Sequence, residues 1–319
     1  MDPAPPEGSS DALAPFVETL PDLHVPSEWV EAARRIEGGA IRTVCVIGPA
    51  DSGKSTLARF LFTAAARAGL KAALIDTDLG QKTVGPPACV TMCDANGPSL
   101  AFVGTTDPVL GWKPLLDGVH RLLARTDAAI RIVNTSGLVS GPGRRLKAAK
   151  LEAIRPDLLI VLGAVPDIGA LTGEHPDIAI LHLPSSPCAR RKTDGERRTL
   201  RREAFRGYFR HASAVVLDRR LAPDLQAGSP TLGLLLGLSD AQGRDLGLGI
   251  LAEGEAGGPL RILTPVVETP IHRITPGSLC LDEHFSEIRR RAGKGSKNEC
   301  ALPGAAKQCG RPKTRDDPP

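Results

Sequence analysis

The stretch VCVIGPADSGKSTLARFL, residues 44–61, restricts the fold of this chain more than any other part of the sequence. Gly48, Gly53, Lys54 and Ser55 fill the fixed positions of the pattern GxxxxGK(S/T). An apolar segment precedes the pattern and helix-forming residues follow it, which is the context that a phosphate-binding loop requires. Backbone N–H groups and the positive end of the following helix bind phosphate there. The sequence therefore predicts a P-loop that binds a nucleoside triphosphate.

Two side chains of this loop have separate expected roles. Lys54 should reach the β- and γ-phosphates, and the Ser55 hydroxyl should bind Mg²⁺. We expect ATP and Mg²⁺ as cofactors, although no base-reading residues are recognisable and GTP stays open as the donor. The predicted nucleotide contacts are Gly48, Asp51, Ser52, Gly53, Lys54, Ser55 and Thr56.

The pattern of apolar segments predicts the fold class. Short, continuous apolar stretches such as RTVCVIG, KAALIDTD, SLAFVG, AIRIVNTSG, DLLIVLGAV and IAILHLP alternate with helical stretches near 112–126, 144–155 and 195–210. Such strands, separated by helices, form sheets that are covered on both faces. We predict an α/β fold with a doubly wound, mostly parallel sheet of P-loop kinase type, whose ligands bind at the carboxyl ends of the strands.

The domain organisation follows from changes in composition. After about residue 222 the segments are strand-like and interrupted by glycine and proline, and DAQGRD is typical of a hairpin loop. The length of 319 residues allows one large and one small domain. We predict a disordered segment at 1–22, a P-loop domain at 23–222, a small β-rich domain at 223–285 and a basic disordered tail at 286–319.

Composition argues against several other classes of protein. The seven cysteines include no CxxC pair, so a zinc site or a disulfide framework is not expected. No apolar run reaches the length of a membrane span, and the N-terminus lacks the features of a signal peptide. We expect a cytoplasmic protein without a membrane partner. The net charge of +4 is concentrated at 190–210 and in the tail.

Other P-loop classes lack support in the sequence. A GTPase would carry DxxG after a later strand, but the segment here is Asn134-Thr-Ser-Gly137, and no Asn-Lys-x-Asp occurs. No long apolar strand ends in Asp-Glu, as a motor ATPase would require. Two carboxylates, Asp76 and Asp78, instead follow the second strand. One could hold Mg²⁺ and the other could accept a proton from an attacking hydroxyl, while Gln81 is placed to orient a nucleophile.

The sequence DTDLGQ after a GxxxxGKST loop resembles the P-loop polynucleotide 5′-hydroxyl kinases, relatives of the pre-mRNA cleavage-complex RNA kinase and of the ribosomal-RNA-processing kinase. The segments VPSEW, FVGTTDP, NTSGLVSGPG and RRTLRREAFRGYF also have counterparts in that family. The resemblance covers roughly residues 25–284. It implies transfer of the γ-phosphoryl group of ATP to a 5′-hydroxyl end of RNA, with DNA as an open alternative.

The resemblance assigns an acceptor-binding segment and a lid. Thr135 and Gly137 match the family's clasp for the acceptor, but Leu138 replaces the usual stacking tryptophan, for which Trp112 is the nearest substitute. A turn at Gly104–Thr106 faces the same site, and we include Thr106 among the substrate contacts. The lid is an arginine helix whose Arg-x-x-x-Arg pair is Arg197 with Arg201, or else Arg198 with Arg202.

The expected catalytic residues are therefore Lys54, Asp76, Asp78, Arg197 and Arg201, and the expected metal ligands are Ser55, Asp76 and Asp78. Gln81, Thr106, Thr135, Gly137 and Leu138 are the expected substrate contacts. Two alternatives stay open: an ATP-binding scaffold without catalysis, and a kinase for a small hydroxyl compound.

Overall fold

The computed structural model describes residues 24–165, 171, 176–225, 231–254, 258–266 and 269–288. The segment 1–22 and the tail from residue 289, for which we predict disorder, lie outside the described residues.

The first sheet carries the P-loop and is mostly parallel, as predicted. Its strands lie in the order β4-β3-β2-β5-β1-β6-β7. Six of them run in the same direction, and β3 runs antiparallel between β2 and β4; this edge of the sheet was predicted only in part, since no strand was expected at CVTMCD. The strands are β1 (Thr43–Ile47), β2 (Ala72–Asp76), β3 (Cys89–Asp94), β4 (Gly97–Phe102), β5 (Ile130–Asn134), β6 (Leu158–Leu162) and β7 (Ala179–Leu183).

Helices cover both faces of this sheet, and each face has its own core. The helices are α1 (Ser27–Glu37), α2 (Lys54–Arg67), α3 (Trp112–Arg125), α4 (Pro142–Ile154) and α5 (Asp194–Tyr208). Apolar side chains of α1 and α2 pack on one face, and those of α3 and α4 pack on the other. Leu57, Leu61 and Ala65 of α2 are buried at intervals of four residues, which is the spacing of one helix face.

Two helix starts differ in how they are capped. Pro26 is the N-cap of α1 and caps it without a side-chain hydrogen bond, while the Ser27 hydroxyl donates to the Glu28 carboxylate. At α5, Thr193 and Glu196 form a capping box, in which each side chain accepts a hydrogen bond from the other residue's backbone N–H. The first turn of α5 is therefore defined by these two neighbouring residues.

The second sheet is antiparallel and begins earlier than the predicted boundary at 222/223. Its first strand, β8 (Ser213–Leu217), follows α5 and pairs with β11, so the change in composition near 222 comes after the sheet has begun. The other strands are β9 (Leu234–Ser239), β10 (Asp245–Gly254), β11 (Leu260–Thr264), β12 (Arg273–Leu281) and β13 (Glu287–Ile288), in the order β13-β12-β9-β10-β11-β8. The DAQGRD loop joins β9 and β10, as predicted. Strand β13 lies inside the segment predicted to be a disordered tail.

The two sheets share a core, which fixes the second sheet against the site. Phe102 of β4 packs with Phe205 of α5 and Leu235 of β9. Asp245 of β10 accepts a hydrogen bond from the Phe102 backbone N–H at 3.0 Å and pairs with Arg121 of α3 at 3.1 Å. Because α5 lies in this shared core, the second sheet supports the lid helix from behind. Among the described residues, no helix has the length and apolar character to cross a membrane.

Candidate active site

The P-loop connects β1 to α2 in a tightly constrained conformation. Gly53 and Asp51 have positive φ angles of 96° and 59°. A Cβ atom at Gly48 would overlap the carbonyl oxygen of Leu162, so only glycine fits at that position. The Lys54 ammonium is buried and donates to the Pro49 carbonyl at 2.5 Å. Burial lowers the pKa of Lys54 to about 8, although the charges of Asp78 and Asp51 act in the opposite direction.

A cavity of about 270 Å³ lies over this loop and collects most of the predicted residues. The parallel pairing of β2, β5 and β1 explains this, because the carboxyl ends of all three strands meet at one edge. The predicted residues that line it are Asp51, Gly53, Lys54, Ser55, Thr56, Asp78, Gln81, Thr135, Gly137 and Arg197. The sequence analysis missed Ala50, Cys188, Ala189, Arg190 and Lys192, which also line it.

Asp76 lies below the cavity, in a network of hydrogen bonds. Its side chain is fully buried; Oδ1 accepts from the Asn134 amide at 3.1 Å, and Oδ2 accepts from the Thr83 N–H at 2.5 Å. The same Asn134 amide nitrogen lies 3.2 Å from the Ser55 hydroxyl. The P-loop hydroxyl and the carboxylate that follows β2 are thus held beside each other by one side chain.

These oxygens fit Mg²⁺ better than a metal bound by protein groups alone. In the described part of the chain, no group of three or more His, Cys, Asp or Glu side chains could hold a metal. Mg²⁺ commonly uses one or two carboxylates together with phosphates and water, which agrees with a Ser55 and Asp76 pair. The buried Asn134 Oδ1 and Ser52 Oγ atoms at the same edge have no hydrogen-bond partner among the described residues, which is consistent with a ligand that completes the site.

Asp78 has a different environment from Asp76. Its Oδ1 atom accepts from the backbone N–H groups of Gly80 and Gln81 at 2.9 and 3.0 Å, so it caps the turn. Asp78 nevertheless lines the cavity, whereas Asp76 does not. The geometry therefore separates the two carboxylates: Asp76 lies next to the Ser55 hydroxyl, and Asp78 faces the cavity.

The segment 135–137 packs directly on the P-loop. A Cβ atom at Gly137 would overlap the Cα atom of Ala50, so this glycine lets the two backbones meet. The Thr135 side chain is only 1% exposed; its hydroxyl donates to the Val46 carbonyl at 2.8 Å and accepts from the Lys147 ammonium at 2.8 Å. The Thr135 hydroxyl thus makes both of its hydrogen bonds within the fold, to Val46 and Lys147. Leu138 is exposed and lies outside the cavity lining.

The lid helix α5 is tied to the P-loop through Asp51. Arg197 donates to Asp51 at 2.5 Å, and the Lys192 backbone N–H donates to it at 2.9 Å. Burial of Asp51 acts to raise its pKa, but the hydrogen bond from Lys192 and the charge of Arg197 dominate together, and its pKa is lowered. Gln81 donates to the Arg197 carbonyl at 3.1 Å and joins the turn after Asp78 to the same helix.

Arg201 is held on the other side of the lid. Its guanidinium donates twice to Glu287 of β13, at 2.9 and 3.1 Å, and the Thr106 hydroxyl donates to the same carboxylate at 2.8 Å. Arg201 lines a second cavity of about 660 Å³, which it shares with the alternative pair Arg198 and Arg202. Of the arginines considered for the lid, Arg197 alone lines the first cavity, and Thr106 and Arg201 meet at Glu287 instead.

Sequence reasoning missed a group of buried lysines around the strand ends. Lys82 donates to the carbonyl of Asp76 at 3.0 Å, and its ammonium lies 3.7 Å from Asp76 Oδ2. Lys147 and Lys150 of α4 are 3% and 1% exposed. A signal for these two was present, because each lies beside a buried leucine on the apolar face of RRLKAAKLEAI, where an ordinary helix carries no charge.

Comparison with known proteins gives one consistent family. The family model described as the P-loop of the mRNA cleavage and polyadenylation factor CLP1 matches residues 48–211. A polyribonucleotide 5′-hydroxyl-kinase of Thermococcus kodakarensis is 35% identical over 185 residues, which is 54% of this chain and 53% of that protein. One of Pyrococcus horikoshii is 32% identical over 216 residues, or 64% and 58% of the two chains.

More distant relatives agree with these two. A polyribonucleotide 5′-hydroxyl-kinase Clp1 of Xenopus tropicalis is 30% identical over 211 residues, which is 59% of this chain and 48% of that protein. The chain spans about half the length of the curated relatives it matches. A solved structure of the wild-type Clp1p–Pcf11p complex superposes with a TM-score of 0.64 at 16% identity, over 81% of this chain and 80% of the other, which shows a common fold.

Proposed function

The chain belongs to the CLP1 P-loop family, and from this premise we propose that it is an ATP-dependent polynucleotide 5′-hydroxyl kinase that acts on RNA ends in RNA processing or repair. The observation that carries the proposal is the composition of one cavity. The nucleotide loop, a carboxylate at Asp78, the acceptor segment at Thr135 and Gly137, and Arg197 of the lid all line it. Phosphoryl transfer needs these parts at one place.

The γ-phosphoryl group would lie between the P-loop and the lid. Lys54 and Arg197 supply positive charge there, and Asp51 holds Arg197 at the mouth of the cavity. Ser55 and Asp76 would hold Mg²⁺, which supplies further positive charge beside the phosphates when it is bound. Lys54, Arg197 and Mg²⁺ would together offset the negative charge of the phosphoryl oxygens.

Asp78 is the better candidate for the general base. It lines the cavity, whereas Asp76 is fully buried and engaged with Asn134 and Thr83. In the proposed step, the 5′-hydroxyl proton passes to Asp78 while the hydroxyl oxygen bonds to the γ-phosphorus. The bond from that phosphorus to the bridging oxygen of ADP breaks, and the products are ADP and a 5′-phosphorylated end.

A scaffold that binds ATP without catalysis is the main alternative, and one observation favours it. Leu138 stands where the family resemblance expects a stacking tryptophan, and Trp112 is the first residue of α3, partly buried against the core of that face. Base stacking on an aromatic side chain contributes about 1–3 kcal/mol, so acceptor binding by this chain should be weaker. A kinase for a small hydroxyl compound would need no stacking residue either.

Transfer of label from γ-³²P-ATP tests the proposal. The acceptors are a short 5′-hydroxyl RNA, the DNA of the same sequence and a free nucleoside. The proteins are wild type, Lys54→Ala and, as a matched control, Lys71→Ala, whose side chain is 68% exposed just before the start of β2. Labelled RNA with wild type and Lys71→Ala, but not with Lys54→Ala, is the expected result. Binding of ATP without transfer to any polynucleotide would refute the kinase and favour the scaffold, and transfer to a nucleoside alone would favour the small-molecule kinase.

A further inference from the structure

Two buried lysines of α4 contact the walls of the active site from behind. The Lys147 ammonium donates to the Thr135 hydroxyl at 2.8 Å and to the Ser136 carbonyl at 2.5 Å. Because Thr135 and Ser136 precede Gly137, which packs on the P-loop, Lys147 fixes the acceptor side of the cavity at two successive residues. Its own charge does not reach the cavity surface.

Lys150 makes the corresponding contacts at the carboxylate side. Its ammonium donates to the Thr77 hydroxyl at 3.0 Å and to the Thr77 carbonyl at 3.1 Å. Thr77 lies between Asp76 and Asp78, and its hydroxyl donates to the Asn134 carbonyl at 2.9 Å. Lys150 therefore holds Thr77 in place, and with it the turn that carries the Asp76 and Asp78 carboxylates.

The fold alone does not account for these charges. The hydrogen-bond acceptors of Lys147 and Lys150 are neutral hydroxyl and carbonyl oxygens. Burial without a paired carboxylate disfavours the cation, and it lowers the pKa of Lys150 to about 8 and that of Lys147 well below its usual value. A methionine of similar length would fill the same space without burying a cation, but it would leave the Ser136 or Thr77 carbonyl without this donor. The net gain in stability from either lysine is therefore small, and the contacts of both with the strand-end segments point to a use other than stability.

We propose that Lys147 and Lys150 are positioning residues of the active site, with Lys147 orienting the acceptor segment 135–137 and Lys150 orienting the carboxylate turn 76–78. The assignment of acceptor and carboxylate roles rests on the proposed kinase function. The two lysines lie one helical turn apart on α4, so this helix sets the distance between the two walls of the cavity.

Three variants of α4 separate positioning from packing: Lys147→Met, Lys150→Met and the control Arg145→Met at an exposed position of the same helix. We expect both lysine variants to unfold near the wild-type temperature, because relief from burying a cation offsets the loss of a donor to one backbone carbonyl. Lys147→Met should raise the KM for the RNA acceptor about tenfold or more and leave ATP affinity within about twofold. Lys150→Met should lower kcat about tenfold or more with little change in acceptor KM, and Arg145→Met should match wild type.

Two results would overturn the inference: wild-type kinetics in both lysine variants, or a lower unfolding temperature with equal losses in every kinetic parameter. If Lys147→Met fails to fold, Lys147→Arg replaces it, since it keeps the charge but moves the donors. A folded arginine variant with a raised acceptor KM supports the inference, and one with the wild-type KM refutes it.

Failure of the kinase itself would be visible separately. If the wild type transfers no phosphate, the affinities for a fluorescent oligoribonucleotide and for a fluorescent ATP analogue replace the kinetic readouts. Lys147→Met should then weaken oligoribonucleotide binding about tenfold without weakening the ATP analogue. Equal affinities in wild type and variant, or no oligoribonucleotide binding by the wild type, would refute the role of Lys147.

Discussion

The contact between Arg201 and Glu287 ties the lid helix to the last described strand, and its strength can be measured without reference to any activity. The two side chains are 18% and 22% exposed and form two hydrogen bonds, at 2.9 and 3.1 Å. Exposed pairs contribute about 0.2–1 kcal/mol, and removing one partner of a fully buried pair costs about 3–5 kcal/mol. We expect a coupling energy of about 1–2 kcal/mol, between these limits.

A double-mutant cycle measures this coupling. Arg201→Ala, Glu287→Ala and the double variant are unfolded in urea and followed by the fluorescence of the two tryptophans, Trp29 and Trp112. The exposed pair Arg273 and Asp224, with side chains 55% and 53% exposed, provides the control cycle. The control coupling should stay below about 1 kcal/mol.

A coupling at Arg201 and Glu287 no larger than the control would refute this reasoning. It would mean that this ion pair adds little, and that the helix is held by its apolar core around Phe205 and by the contact of Arg197 with Asp51. The same contact can be tested by kinetics. If Arg201 acts on the γ-phosphoryl group, its guanidinium must leave Glu287 and bind the phosphate instead. Glu287→Gln should then leave kcat/KM for ATP unchanged or higher, whereas Arg201→Ala should lower it.

Three further predictions concern residues in and around the cavity. Gly137→Ala should cost about 1–3 kcal/mol of stability and weaken ATP binding, because the added methyl group meets the Ala50 backbone. Thermal unfolding measures the loss of stability and titration with ATP measures the affinity. An unchanged ATP affinity would contradict the contact. Leu138→Trp should tighten oligoribonucleotide binding by about 1–3 kcal/mol in a fluorescence titration, and no gain would argue against stacking at this position. Burial lowers the pKa of Lys150 from 10.5 to about 8, so at this site the unfolded chain binds more protons between these pH values. Lys150 should therefore add about 3 kcal/mol to the free energy of unfolding between pH 8 and 10.5, measured as the difference between wild type and Lys150→Met, and an equal pH dependence in the two proteins would contradict it.

The sequence by itself determined the parts of this protein that depend on neighbouring residues. The P-loop is continuous in the chain, and its glycines, lysine and serine have fixed spacing, so its conformation and ligand could be inferred from nine residues. Apolar strands that end in Asp76 and Asn134 placed these polar residues at one edge, because neighbouring parallel strands end together. The arginine pattern at 197–202 predicted a helix with charged faces, and the family resemblance favoured Arg197 with Arg201 over Arg198 with Arg202.

The tertiary structure decided which separated segments meet. Strand β3 is short and fully buried, without alternation, and the antiparallel partner that defines it, β4, lies beyond a turn whose pairing the sequence leaves open. From its position in the chain, strand β8 belongs to the first domain. Its pairing with β11, more than forty residues later, places it in the second sheet. The contacts of Lys147 and Lys150 are with Thr135 and Thr77, which directly follow two different strands, so no local pattern could reveal them.

The pairing of Arg201 with Glu287 is the plainest example, since 86 residues separate them. No local pattern marks Glu287, which lies in a segment that composition assigns to a disordered tail. Its place is fixed by β13 pairing with β12 and by the core shared between the two sheets. Local chemistry thus decides which residues can bind phosphate, and packing over long separations decides which charge meets which partner, because that choice depends on surfaces that exist only in the folded chain.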